Sequence, residues 1–395
     1  MTSNDKPRLI PIHHRAALVV LALFVGLSLV VSGCAKQGIS IGAAGPYTGD
    51  LSKIGLDSLN AIRMAVDEFN AAGGINGQEV ELIVGDDEAQ PSKALAVAEK
   101  FVADETVLGV IGPMNSNCVL SALPTYERAG LALITQSATN PEITESGYES
   151  VFRLCPRDEG QGGAAARFNL EELGFSRVYL VDDKGSYGQG LADQVAVGLA
   201  VGDVEPVGRG QVDAADREFA PLLTAAQATE PELIYLAMAN PAQAAALIKQ
   251  ARAMGITATF MGGDGLKERD QLIAAAEGAA DGMYVTSIGQ DIKEVPAAAD
   301  FVEAFETAHG AMSIFSGQSY EATMVLLTAM QRAADDGELD RAGVLAELRG
   351  IEYSGILGFP ISFDESGDVR DARIYVVRVE GADFAPVIDY PAKVQ

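Results

Sequence analysis

The sequence predicts an α/β protein of two lobes, each a doubly wound, Rossmann-like parallel sheet with helices on both faces. Three observations carry this. Short β-rich apolar runs alternate with helical patterns along most of the chain, one cycle taking about thirty residues, as a βαβ unit does. The connections are short, which suits parallel strands covered on both sides. The chain has 395 residues, long for one hydrophobic core at about 100–200 residues per domain.

In chain order, strands are expected at residues 39–44, 80–84, 107–111, 131–134, 177–181, 233–237, 257–261 and 282–286. Helical patterns fall between them at 57–72, 92–104, 119–129, 160–173, 189–201 and 241–254. Gly73, Gly130, Gly174 and Gly255 follow four of these, where glycine takes the left-handed cap most easily. Further helical patterns cover 297–309, 318–335 and 341–348. The end changes character: 361–363, a turn at 364–368 and 373–379 read as a hairpin-like pair. The two halves look alike in architecture without detectable sequence similarity.

The start of the chain has its own logic. His13, His14 and Arg15 precede residues 16–31, which carry no charge and no helix breaker except Gly26. That length suits the apolar core of an export signal better than a membrane span. Ser32-Gly33-Cys34 looks like a bacterial lipobox, in which cleavage precedes the cysteine and its sulfur carries a lipid. The expectation is a signal peptide over 1–33, a lipidated tether over 34–38 and a protein held on the outer face of the cell membrane. An ordinary signal with a chance cysteine, or a retained anchor helix, are the alternatives.

Composition narrows the function. Fifty-five acidic against 28 basic residues give a net charge of −27, a surface that repels phosphate backbones and so excludes nucleic acid as a partner. Trp is absent, and His309 is the only histidine after His14. A His-based zinc site or a Ser-His-Asp triad would depend on that one residue. It stands just before Gly310 at the end of a helical pattern, where it suits the helix C-terminus. Cys118 and Cys155 are left as an even pair, either a disulfide in a permissive compartment or two buried thiols. Gly188-Gln189-Gly190 lacks the third glycine of a dinucleotide fingerprint. Asp86-Asp87-Glu88 and 364–371 lack the EF-hand spacing. No nucleophile–base pair, cofactor or metal is expected, and the chain reads as a binding protein rather than an enzyme.

Ligands of open parallel sheets sit beyond the carboxyl ends of the strands. After 107–111 come Gly112-Pro113-Met114-Asn115-Ser116-Asn117, then a helix. After 131–134 come Thr135-Gln136-Ser137-Ala138-Thr139-Asn140-Pro141. These two hydroxyl-rich turns could cradle a carboxylate on free N–H groups, or could simply cap their helices. In the second half, Tyr187 sits on a Gly-flanked loop and Asp264 within Gly262-Gly263-Asp264-Gly265. Tyr187 could stack over a ligand or cover a lobe edge; Asp264 could meet an ammonium or form an ordinary turn. A carboxylate cradle facing an acid suits a zwitterion.

At these residues the chain resembles the type I periplasmic binding proteins, specifically the leucine/isoleucine/valine-binding receptors of ABC importers. The resemblance rests on Gly49…Gly55, Ala72-Gly73-Gly74-Ile75-Asn76-Gly77, Asp86-Asp87, Ile111-Gly112, Thr139-Asn140-Pro141 and Phe152-Arg153. It continues through Asp183-Lys184…Tyr187-Gly188, Phe260-Met261-Gly262 and Phe363-Asp364…Gly367-Asp368. It implies two lobes joined by a three-strand hinge, one over 39–157 plus 288–357 and the other over 158–287 plus 358–391. It implies that Ser116 and Thr139 hold a ligand carboxylate, and that the Ser137 carbonyl and Thr139 hydroxyl receive the α-ammonium. Asn115 and Ala138 lie in the same turns. Tyr187 and Asp264 come from the second lobe, Asp264 neutralising the ammonium, and Phe315 lines the side-chain end. The implied ligand is a branched-chain or similar small amino acid, and the implied partners are membrane permease subunits.

The chain also departs from that pattern. Ile54 and Ala239 stand where such receptors often have tyrosines, and Ala89 and Asn115 where they have a disulfide. A second reading therefore keeps the fold with an amide, urea or aromatic acid as ligand, or makes the protein a ligand sensor. A third, an extracytoplasmic hydrolase, lacks its nucleophile–base pair.

Overall fold

The computed structural model describes Met1 and residues 38–392. Apart from Met1, the expected signal peptide lies outside the described residues, as do Cys34 and the tether up to Gln37. No helix among the described residues is long and apolar enough to cross a membrane.

Residues from Ile39 onward form one compact unit built on two sheets. Strands β1 (Ile39–Gly45), β2 (Val80–Asp86), β3 (Val107–Ile111), β4 (Ala132–Thr135) and β5 (Val151–Arg153) make an all-parallel sheet in the order β2-β1-β3-β4-β5. The second sheet contains β6 (Val178–Asp182), β7 (Gly208–Gln211), β8 (Leu233–Ala237), β9 (Thr259–Gly262), β10 (Tyr284–Ser287), β11 (Arg373–Glu380) and β12 (Asp383–Pro391). Its order is β12-β11-β10-β9-β8-β6-β7, so β7-β6-β8-β9-β10 repeats the winding of the first sheet. Both sheets reverse their winding beside their first strand, between β1 and β3 and between β6 and β8. A crevice opens beyond the strand ends at such a switch point.

The helices are α1 (Ser52–Ala71), α2 (Pro91–Ala103), α3 (Ser116–Arg128), α4 (Asp158–Phe168), α5 (Ser186–Ala200), α6 (Ala220–Ala228), α7 (Pro241–Ala253), α8 (Ala299–His309), α9 (Ser316–Asp335) and α10 (Arg341–Arg349). They cover both faces of each sheet, which is why the strands are apolar at almost every position. In β8, Ile234 and Leu236 pack with Leu247 and Ile248 of α7, while Leu233, Tyr235 and Ala237 pack with Ala165 of α4 and Leu191 of α5. In the first sheet, Ala132 and Ile134 meet α1 and α9 through Ile62 and Leu326, and Leu133 meets α2 and α3 through Phe101 and Leu123. Each large apolar side chain buried this way contributes about 1.5–3 kcal/mol.

Several expectations need correction. The second sheet is mixed, because β11 runs antiparallel to both β10 and β12. The hairpin between 361–363 and 373–379 does not form. Phe363 bridges to Val369 instead, across a turn in which Asp364 Oδ1 accepts from the N–H groups of Ser366 and Asp368. Strand β11 instead pairs with β10 and β12. Strand β7, a Gly-Arg-Gly-Gln edge, has no apolar run to announce it, and β5 has three residues. The stretch 358–370, expected in the second lobe, gives Ile361, Phe363 and Val369 to the first lobe's core. Phe363 meets Phe152 with ring centroids 5.0 Å apart. Cys118 and Cys155 form no disulfide: both are buried free thiols, packed in separate apolar clusters.

Candidate ligand-binding site

The loops after β3 and β4 are folded onto each other. Gly112, which follows β3, has φ +91°, and a Cβ there would lie 2.1 Å from the Ala44 carbonyl oxygen, so only glycine makes this turn. Thr135 Oγ1 donates to the Pro113 carbonyl at 2.8 Å, and Ser137 Oγ to the Met114 carbonyl at 3.0 Å. Ser116 opens α3, where the first backbone N–H groups of a helix have no acceptor inside it. Ser116 Oγ accepts from the Asn140 N–H at 3.4 Å.

The second lobe brings a carboxylate. Asp264, 2% exposed, follows β9. Its Oδ1 accepts from the Tyr187 hydroxyl and from Gln161 Nε2, both at 2.8 Å. Gln161 Nε2 also reaches Thr286 Oγ1 at 3.1 Å. Gly263 makes room for this arrangement, since a Cβ there would sit 2.3 Å from the Tyr187 hydroxyl. A cavity lies between these loops. Leu51, Ile54, Met114, Asn115, Ser116 and Ser137 line it from one side and Tyr187, Ala239, Asp264 and Gly265 from the other, with Phe315. Ile54, Met114 and Phe315 belong to the same apolar cluster as Leu191 of α5 and Ala237 of β8.

Burial pushes the Asp264 carboxyl up to about 6, against the two donors that hold its anion. Beside it Asp158, fully buried at the start of α4, is pushed up to about 8 by burial and by the Asp264 charge, the Thr139 hydroxyl and Arg153 opposing. The Asp264 charge and burial thus both disfavour a second charge on Asp158. Burial and the Asp264 charge also push the Tyr187 hydroxyl well above its ordinary value, so it stays a donor.

Asn115, Ser116, Ser137, Tyr187, Asp264 and Phe315 meet in this cavity; Ala138 and Thr139 lie outside its lining. Ala138 packs into the core between the first sheet and α3. The Thr139 carbonyl accepts from the Asp158 N–H at 2.9 Å. Sequence reasoning missed Asp158 and Gln161. Three apart at the start of α4, they share one helix face, but a helix expected to begin at 160 leaves Asp158 outside it.

Residues 38–383 match the family model described as periplasmic binding protein. The chain belongs to this family of periplasmic binding proteins. Among its relatives, an amino acid binding protein of Pseudomonas aeruginosa is 32% identical over 353 residues, covering 89% of this chain and 92% of its own. A leucine binding protein from Thermotoga maritima superposes with a TM-score of 0.82 at 27% identity, over 89% of this chain and 99% of that one. A branched-chain amino acid transporter substrate-binding protein from Streptococcus pneumoniae, solved with isoleucine, gives 0.79 at 25% identity over 89% and 99%. In this periplasmic binding protein, as in the family's type I fold, paired α/β lobes face each other across the cavity.

Proposed function

We propose that this chain is the extracytoplasmic receptor of an ABC importer. It captures a branched-chain or similar small α-amino acid between its lobes and hands it to membrane permease subunits, without catalysis or a cofactor of its own. The observation that carries this is Asp264: a buried carboxylate, oriented by Tyr187 and Gln161 through Oδ1, across a cavity from the start of α3. An α-ammonium pairs with Asp264, and the α-carboxylate takes the N–H groups and hydroxyl at Ser116, with Thr139 and the Ser137–Ala138 backbone shaping that turn. Ile54, Met114 and Phe315 give the side chain an apolar wall. The relatives named for amino acids, leucine and isoleucine support this reading. Binding shifts an open–closed equilibrium of the lobes toward closure. A lipid on Cys34 keeps the receptor near its permease and raises its effective concentration there.

A thermal-shift screen of the purified chain against amino acids, amides, urea and aromatic acids tests this. Stabilisation by neutral α-amino acids is expected; stabilisation by the other classes alone contradicts the proposal.

A further inference from the structure

The chain passes between the layers of the two sheets three times, after β5, after β10 and before β11. A second cavity lies among these crossovers. Leu154 and Pro156 line it from the first, Ile288 and Gly289 from the second and Ala372 from the third, with Gln318 of α9. It shares no lining residue with the cavity at Asp264.

The first crossover separates the two spaces. Cys155, between Leu154 and Pro156, turns the other way. Its Sγ lies 3.7 Å from the carbonyl of Ala138, in the loop that carries Ser137, and it belongs to the apolar cluster of Ile54, Met114 and Phe315. Ile288 joins that same cluster from the second crossover while lining the hinge cavity. The crossovers thus form a wall with the ligand cavity on one side and the hinge cavity on the other. When two lobes turn about such a wall, the space on one side widens as the other narrows. Across the cleft, Asn140 Nδ2 reaches the Ser186 carbonyl at 2.7 Å and Asp50 pairs with Arg217 at 3.4 Å. The lobes are therefore drawn together in this arrangement, with the hinge cavity open behind them.

Gln318, 7% exposed, takes the room that Gly289 leaves, since a Cβ at Gly289 would lie 2.7 Å from its Nε2. A side chain of α9, which packs on the first sheet, thus bears on the backbone of the second crossover. We infer that Gln318 and Ala372 set the receptor's affinity without touching its ligand, by limiting how far the hinge turns back toward the open state. Bulk in the hinge cavity opposes opening. An apparent dissociation constant is the intrinsic one divided by the fraction of binding-competent protein, so a larger closed fraction tightens binding. The inference rests on the reading of this chain as a receptor that closes on an amino acid, and deepens it.

Small-angle X-ray scattering of the ligand-free chain and calorimetric titration with leucine test it. Ala372→Phe, which puts a ring into the hinge cavity, is expected to reduce the ligand-free radius of gyration. It should tighten leucine at least about fivefold, the low end of ordinary coupling between sites. Gln318→Ala, which removes bulk from the same cavity, should expand the ligand-free chain and weaken leucine. Opposite shifts from two substitutions outside the ligand cavity are not what a general loosening of the fold produces. Variants that fail to move in opposite directions overturn the inference and leave the amino-acid reading standing. If leucine binds none of the three chains, the amino-acid reading falls, while the scattering comparison, which needs no ligand, still decides the hinge.

Discussion

Asp264→Asn is expected to weaken binding of an α-amino acid by about 2–5 kcal/mol, the usual effect of removing one member of a buried, hydrogen-bonded charge pair. That is roughly 30-fold to several thousand-fold. The amide keeps the volume of the carboxylate and can still accept from Tyr187 and Gln161, so the loss reports charge more than shape. The pH dependence follows from the same group. With burial pushing the Asp264 carboxyl up to about 6, its anion predominates above that pH. Below it, an ammonium has to displace a proton, and the dissociation constant should rise about tenfold per pH unit. Near pH 7 affinity should level off, up to the range around 8 in which Asp158 beside Asp264 takes on charge. Titrations at pH 5, 6, 7 and 8 should show this slope in the native chain and none in Asp264→Asn. An unchanged affinity in the variant would remove Asp264 from the site.

The largest expected loss of stability comes from Arg153→Met. Arg153 is fully buried. Its Nε pairs with Asp368 Oδ1 at 2.7 Å, its Nη1 donates to the Asn140 carbonyl at 2.7 Å and its Nη2 to Thr144 Oγ1 at 2.5 Å. One guanidinium thus ties the loop after β4 to the turn before β11. Removing it leaves Asp368 nearly buried, with only the more distant Arg157 at 3.5 Å as a cation among the described residues, and costs about 3–5 kcal/mol. Arg153→Lys should recover little, because a point charge cannot replace three donors fixed in a planar fork. Urea unfolding measures this, and a loss below about 1 kcal/mol would show the pair to be dispensable. Binding should fall too, since Asn140 Nδ2 reaches the Ser186 carbonyl at the start of α5 at 2.7 Å.

The fold was legible because both faces of both sheets are covered. Strands such as β3 and β8 are apolar throughout and stand out as runs with clear ends. What stayed hidden had a local reason. The edge strand β7 needs no apolar run, and β12 carries mostly exposed residues. The turn at 364–368 was visible in its acidic and glycine residues, but the strands it joins were not, because pairing across it depends on distant Phe152 and Arg153. The site was legible wherever a strand end carried an unusual residue, as at Asn115, Ser116, Tyr187 and Asp264. Gln161 and Asp158 sit inside a helix, where polar residues usually face water, and only the packing of α4 under Asp264 turns them inward.

The central claim is that the cavity reads a zwitterion through Asp264. Calorimetric titration of the purified chain with an L-α-amino acid, and with the α-hydroxy acid of the same side chain, tests it most directly. The amino acid should bind about 100-fold or more tightly than the hydroxy acid, since a site built to pair a ligand N–H rejects the analogue lacking it. Equal affinities for the two would contradict the claim.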